Sequence, residues 1–251
     1  MAHTPFIREI PGSRTAVLMI HGILGTPRHF DFLLSAVPEN WSVYNILLDG
    51  HGGHTSDFSA SSMKKWERQT SALAEKLIAS YETLYIIGHS MGTLFAIDAA
   101  LAHPERIKGL LLLSPPLRVH PRLRVFCNAL KVGLDLVREE DTAALLTKQA
   151  YSMEPDRRVW RYLGWIPRYL ELFGKIRGTR RRLSMLKTPA YVFLCRKDEL
   201  VSVKSAKALA GCSCVRVTYL PNSSHFAYPE EEASQIRQAF QHLYSAFPPF
   251  I

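Results

Sequence analysis

The chain has 251 residues, 47% of them hydrophobic and 21% charged, a balance that excludes a mainly disordered or low-complexity protein. Its 31 lysines and arginines against 22 acids leave a net charge of +9, which invites a nucleic-acid or anionic-membrane reading. Where that charge lies along the chain decides how far the invitation goes.

The first residues, MAHTPFIREIPGS, lack a basic segment followed by an apolar one. No uncharged apolar run reaches the ~18–20 residues of a spanning helix. The expectation is a soluble, cytoplasmic protein. Four cysteines (Cys127, Cys195, Cys212, Cys214) are too few for a disulfide framework in a chain of this size. The C-x-C pair Cys212/Cys214 reads as reduced small residues beside a strand, since a metal site needs more ligands nearby.

In chain order, the apolar run 16–20 predicts a buried strand ending at His21-Gly22, and 43–48 a second ending at Asp49-Gly50. The apolar spacing of Trp66, Leu73, Leu77 and Ile78 predicts an amphipathic helix over 64–80. A third strand, 84–88, precedes a helix over 91–102, closed by His103-Pro104. A fourth strand, 107–113, stops at Ser114-Pro115-Pro116. From 117 to 188 the alternation breaks into a helix-like, arginine-rich stretch. Strands return at 190–195 and 214–220, with helices over 202–210 and about 230–246. Continuous apolar strands alternating with helices point to a parallel sheet covered on both faces. The expected division is an α/β core made of 1–116 and 189–251, with a helical segment, 117–188, inserted in it.

The sharpest motif is Gly88-His89-Ser90-Met91-Gly92, a G-x-S-x-G between a predicted strand and a predicted helix. A turn this tight strains the backbone at the serine, and small residues on either side let the chain pass. Serine needs a base and an orienting group to act as a nucleophile. Asp198 follows strand 190–195, and His225 follows strand 214–220. The order Ser, acid, His is the one this motif carries. All three lie beyond strand C-terminal ends, at one edge of the sheet. Glu199 is the alternative acid. His21-Gly22-Ile23-Leu24-Gly25 follows the first strand, and the backbone N–H groups of Ile23 and Met91 are the expected oxyanion donors.

HGILG, LLDGHGGHTSD, GHSMG, CRKDELV and NSSHF occur in the order and spacing of the α/β-hydrolase serine esterases, and the chain resembles their carboxylesterase and monoacylglycerol lipase branch. The resemblance implies the α/β-hydrolase fold with a helical cap. It also implies a Ser90–His225–Asp198 triad cleaving carboxylic esters through an acyl-enzyme. It covers the core segments and hardly touches 117–188. Two positions depart from it: Thr93 and Cys195 stand where many relatives have glycine. Cys195 lies at the acid loop and is expected to shift that loop slightly.

Other readings are weaker. His51 and His54 form H-x-x-H, but no helix or third ligand is apparent, so no metal is expected. Neither G-x-G-x-x-G nor G-x-x-x-x-G-K-[ST] is present, and no cofactor is expected. Segment 117–188 holds 16 Lys+Arg and 7 Asp+Glu, while the rest is balanced at 15 and 15. The basic excess therefore belongs to the insertion, and nucleic acid is not expected as a partner. Its arginines, including Arg180-Arg181-Arg182, suit an anionic substrate, a membrane surface or simply solvent. Trp160, Trp165 and Tyr169 are candidate substrate contacts. Val159, Leu163, Ile166, Leu170 and Leu172 either line an acyl pocket or pack the insertion on the core. The same fold also hosts aminopeptidases, C–C hydrolases and cofactor-free haloperoxidases, and a non-catalytic binding protein on this scaffold is a further alternative. Acyl length, leaving alcohol and oligomeric state are not encoded in these motifs.

Overall fold

The structure, a computed structural model, describes residues 3–120, 131–137, 141, 145, 148 and 151–245. Cys127 and much of the early insertion fall outside that range. Seven strands form one sheet in the order β1-β3-β2-β4-β5-β6-β7. They are β1 (Phe6–Arg8), β2 (Thr15–Ile20), β3 (Ser42–Ile46), β4 (Thr83–His89), β5 (Ile107–Leu113), β6 (Ala190–Cys195) and β7 (Val215–Leu220). Only β1 runs antiparallel, against β3. The other neighbours pair in parallel.

The α-helices with both ends among the described residues are α1 (Thr55–Ala60), α2 (Met63–Ser80), α3 (Met91–Ala102), α4 (Ile166–Arg182), α5 (Ala206–Leu209) and α6 (Glu230–Ser245). Alternate residues of β2 explain the layering. Ala16, Leu18 and Ile20 face a core built with Trp66, Leu77, Leu94 and Ile97 of α2 and α3. Val17 and Met19 face the opposite core, built with Phe30, Leu33, Ile236, Phe240 and Leu243. Both faces are thus covered, which is why the central strands read as unbroken apolar runs.

The strands expected at 107–113 and 190–195 and the helix at 91–102 form over those residues. The helix expected over 202–210 is instead a 3-10 turn, Val203–Ser205, running into the one-turn α5. Three elements were not anticipated: the three-residue edge strand β1, the 3-10 helix Pro27–Ala36 and the short helix α1. Between β5 and β6 the chain holds a 3-10 turn, Val159–Trp165, leading directly into α4. Among the described residues no helix is long and apolar enough to cross a membrane.

Candidate active site

Because β2, β4, β5, β6 and β7 are mutually parallel, their C-terminal ends share one edge. The residues just past those ends are Gly22, Ser90, Ser114, Asp198 and His225. Topology alone therefore gathers groups that are up to two hundred residues apart in sequence.

Ser90 sits between β4 and α3 with φ 49° and ψ −121°, a backbone region that L-residues avoid. Holding it there costs about 1–3 kcal/mol. The ladder resists relaxation: Ser90 N–H donates to the Leu113 carbonyl at 2.9 Å, while Thr93 N–H and Oγ1 bond the Ser90 carbonyl at 3.0 and 2.6 Å. The flanking glycines are steric necessities. A Cβ on Gly92 would lie 1.9 Å from the Ile20 carbonyl oxygen, and one on Gly88 would lie 2.7 Å from Thr93 Cα. Thr93 thus packs directly against Gly88, and this departure from the family pattern leaves the turn intact.

Asp198 and His225 are brought together. His225 Nδ1–H donates to Asp198 Oδ2 at 2.8 Å, with both residues 2% exposed. The other carboxylate oxygen accepts the N–H groups of Leu200 and Val201 at 2.8 and 2.7 Å. Burial pushes the Asp198 pKa up, but the imidazole of His225 and these donors outweigh it and hold the carboxyl below its ordinary value. Glu199, the alternative acid, accepts instead from the backbone N–H of His225 at 3.4 Å. Cys195 is buried beneath this loop, and burial pushes its thiol up to about 12. Asp198 nevertheless reaches His225.

With Nδ1 carrying the proton, His225 Nε2 is left as a lone-pair acceptor. Among the described residues the Ser90 hydroxyl has no hydrogen-bond partner, so its bond to His225 is not formed in this structure. The two are held near each other through His89. Its Nε2–H donates to the His225 carbonyl at 3.0 Å, and the two rings lie 4.8 Å apart.

The Gly22 loop presses on the serine: a Cβ there would sit 2.8 Å from Ser90 Cβ. Two histidines brace this loop. His21 Nδ1–H donates to the Gly22 carbonyl at 2.8 Å, and its Nε2 accepts the Leu48 N–H at 3.1 Å. His51 Nε2 accepts the N–H of Leu24, a residue in the left-handed region at φ 57°. Among the described residues the N–H groups of Ile23 and Met91 have no hydrogen-bond partner. His51 is thus part of the loop scaffold, while His54 pairs with Glu154 at 2.7 Å.

Other supporting residues were missed in the sequence. Ser114, read only as a strand stop, is fully buried, and its hydroxyl donates to Asp198 Oδ2 at 2.8 Å. Its position just past β5, beside β6, was the available signal. Tyr151 packs edge-on against Phe226, the neighbour of His225, at 6.3 Å. The adjoining Ser152 N–H donates to the Leu24 carbonyl at 2.9 Å.

The three aromatic candidates separate. Trp165 is buried against Phe58 and donates from its indole to the Thr55 carbonyl at 3.1 Å. Tyr169 is half-buried, and burial raises its hydroxyl pKa. Trp160 is 64% exposed. Leu172 packs into the core. Val159, Leu163, Ile166 and Leu170 do not pack the insertion on the core, being more than half exposed. The side that faces the core is the Trp165–Leu172–Ile176 side.

A parallel sheet with helices on both faces, a strained serine turn and an Asp–His pair at its C-terminal edge define an α/β-fold hydrolase. Residues 17–238 match the alpha/beta hydrolase family, and the chain belongs to it. Among curated relatives, it is 27% identical over 250 residues to the monoacylglycerol lipase abhd6-A of Xenopus laevis, covering 87% of this chain and 72% of that protein. It is 24% identical to the thermostable monoacylglycerol lipase of Bacillus sp. (strain H-257), over 89% of this chain and 86% of that one. Among solved structures, one from the work on the metagenome-derived lipolytic enzymes LipS and LipT superposes with a TM-score of 0.74 at 21% identity, covering 97% of this chain and 98% of that one. The monoacylglycerol lipase of Paleococcus ferrophilus superposes at 0.64 with 19% identity, over 98% and 99% of the two chains.

Proposed function

We propose that this protein is a serine hydrolase of carboxylic esters, acting on short- to medium-chain acyl esters or monoacylglycerols. The observation that carries the reading is the buried Asp198–His225 pair lying on the same sheet edge as Ser90. The relatives named monoacylglycerol lipase support the ester class.

In this mechanism Ser90 Oγ attacks the ester carbonyl as His225 Nε2 takes its proton. Asp198 keeps the proton on Nδ1 and stabilises the imidazolium. The N–H groups of Ile23 and Met91 receive the developing oxyanion, at the N-terminus of α3, where the helix dipole adds favourable charge. His225 then returns the proton to the leaving alcohol. Water repeats the sequence on the acyl-enzyme, and Ser90 is regenerated.

Residues 117–188 are proposed as a cap over this edge. The contacts of Ser152 with Leu24 and of Trp165 with Thr55 support that arrangement. Trp160, Trp165 and Tyr169 are the proposed acyl-side contacts.

Hydrolysis of p-nitrophenyl esters of rising acyl length, and of monoacylglycerols, tests the reading directly. Ser90→Ala should lower kcat by at least about 10³-fold and abolish labelling by a fluorophosphonate. Turnover by Ser90→Ala at the wild-type rate would overturn it.

A further inference from the structure

The segment between β5 and β6 carries two apolar series at helical spacing. One, Trp165, Leu172 and Ile176, is buried against the core. The other faces outward: Leu163 is 64% exposed, Ile166 54%, Leu170 63% and Phe173 48%, with Trp160 just ahead at 64%. These residues recur every three to four positions through the 3-10 turn and the first half of α4, so they form one stripe. Contiguous exposed apolar surface of this kind marks an interaction site.

The same face continues into charge. Arg177, Arg180 and Arg181 follow at the same spacing, are exposed, and have no ion pair among the described residues. Their neighbours differ: Arg158 and Arg161 are paired with Asp156, Arg168 with Glu171, and Lys175 and Arg182 with Asp98. On α4 these three unpaired cations lie on the outward face, while the paired ones serve the fold. From Ile166 to Arg177 the face runs roughly 16 Å, apolar at its start and cationic at its end.

What covers it must be apolar and anionic at once. A second copy of the chain would bring two segments of net charge +9 together. An acidic protein would satisfy the arginines, yet a stripe of Trp, Leu, Ile and Phe asks for more than charge. An anionic bilayer supplies acyl chains and phosphates side by side. We propose that this face docks on an anionic lipid surface, with Trp160, Leu163, Ile166 and Leu170 at the acyl boundary and Arg177, Arg180 and Arg181 on the phosphates. The proposal is independent of the reaction assigned to Ser90.

Trp160 provides a built-in probe, because Trp41, Trp66 and Trp165 are all buried, at 7%, 0% and 8% exposed. Titration with phosphatidylglycerol vesicles at low salt should shift tryptophan emission to the blue, and Trp160→Phe should remove the shift. Phosphatidylcholine vesicles should bind far more weakly. Replacing Arg177, Arg180 and Arg181 together by Gln should weaken binding to the anionic vesicles roughly a hundredfold, about fivefold for each arginine. Leu163→Ser combined with Leu170→Ser should weaken it at least about tenfold. Both variants should keep the wild-type melting temperature and the wild-type turnover of a soluble short-chain ester. Failure of that turnover in the wild type would count against the esterase reading alone. The docking proposal is overturned if the wild type ignores anionic vesicles, or if both variants bind them as well as wild type does. It is equally overturned if the leucine variant instead turns a dimer into a monomer in sedimentation equilibrium while vesicle binding is absent.

Discussion

Asp198 is fixed in place by its surroundings. Its carboxylate takes hydrogen bonds from Leu200, Val201, Ser114 and His225, so every strong acceptor direction is used. Asp198→Asn should keep the shape but offer an N–H₂ where His225 needs an acceptor. The wrong tautomer would follow, and kcat should fall by about 10⁴-fold, measured on a soluble ester. A wild-type rate would remove Asp198 from the triad and leave Glu199 as the acid to test. Gly92 shows the other kind of residue-scale constraint, purely steric. With the Ile20 carbonyl 1.9 Å from a hypothetical Cβ, backbone must move. Gly92→Ala should destabilise the fold by about 4 kcal/mol, read by urea unfolding. The glycines, Ser90, Asp198 and His225 were visible in the sequence because each lies at a strand end within a short motif. Ser114 was not, because its role exists only where β5 and β6 lie side by side.

Helix α4 shows how a helical stretch can be recognised while its inward side stays undecided. Its apolar spacing and its arginines are plain in the sequence, but two apolar series compete for the core. The choice rests on Lys175, whose side chain is only 7% exposed. It is paired with Glu67 of α2 at 2.6 Å and with Asp98 of α3, and Asp98 also holds Arg182 at 2.7 Å. These bonds tie the last turns of α4 to the helices on the sheet and turn the Leu172–Ile176 side inward. Asp98→Ala would leave a nearly buried ammonium with one carboxylate, itself 42% exposed. The cost should be about 2–3 kcal/mol, less than for a fully buried pair, with a melting temperature lower by about 5–10 °C. An unchanged melting temperature would mean that the pairing is not what orients the helix. The short elements were illegible for a different reason. β1 has three residues with Phe6 and Ile7 largely exposed, so no burial pattern marks it. Pro27–Ala36 does carry a start signal, Thr26 as cap and Pro27 at the first position, but a 3-10 helix lacks the 3.6-residue period.

At the scale of the whole molecule, the sheet edge is lined with uncharged histidines. Burial, reinforced by neighbouring histidines, lowers the pKa of His21 and His89 well below the ordinary value, and burial lowers His51 to about 4. His29, whose ring lies 3.7 Å from that of His89, is lowered to about 3, chiefly by burial. In the unfolded chain each would titrate near ~6.5. Below that pH the unfolded state binds more protons, so stability is fullest above it and falls as pH drops toward the folded values. The slope should approach about 1.4 kcal/mol per pH unit for each such histidine. The melting temperature at pH 5 should therefore lie well below that at pH 7.5, as read by circular dichroism. A flat profile over that interval would show that the cluster takes up protons without unfolding.

Local physics was enough to read the order of buried strands and helices, the strained serine turn, the succession Ser90, Asp198, His225 and the confinement of the net charge to 117–188. Each of these depends on neighbours in the chain: an apolar run, a glycine pair, a count of arginines. The tertiary structure alone decided which oxygen of Asp198 meets His225, that Ser114 and His89 support the pair, and which side of α4 faces solvent. Those depend on residues far apart in the chain meeting across parallel strand ends and across helix contacts. No spacing within a single segment encodes that meeting.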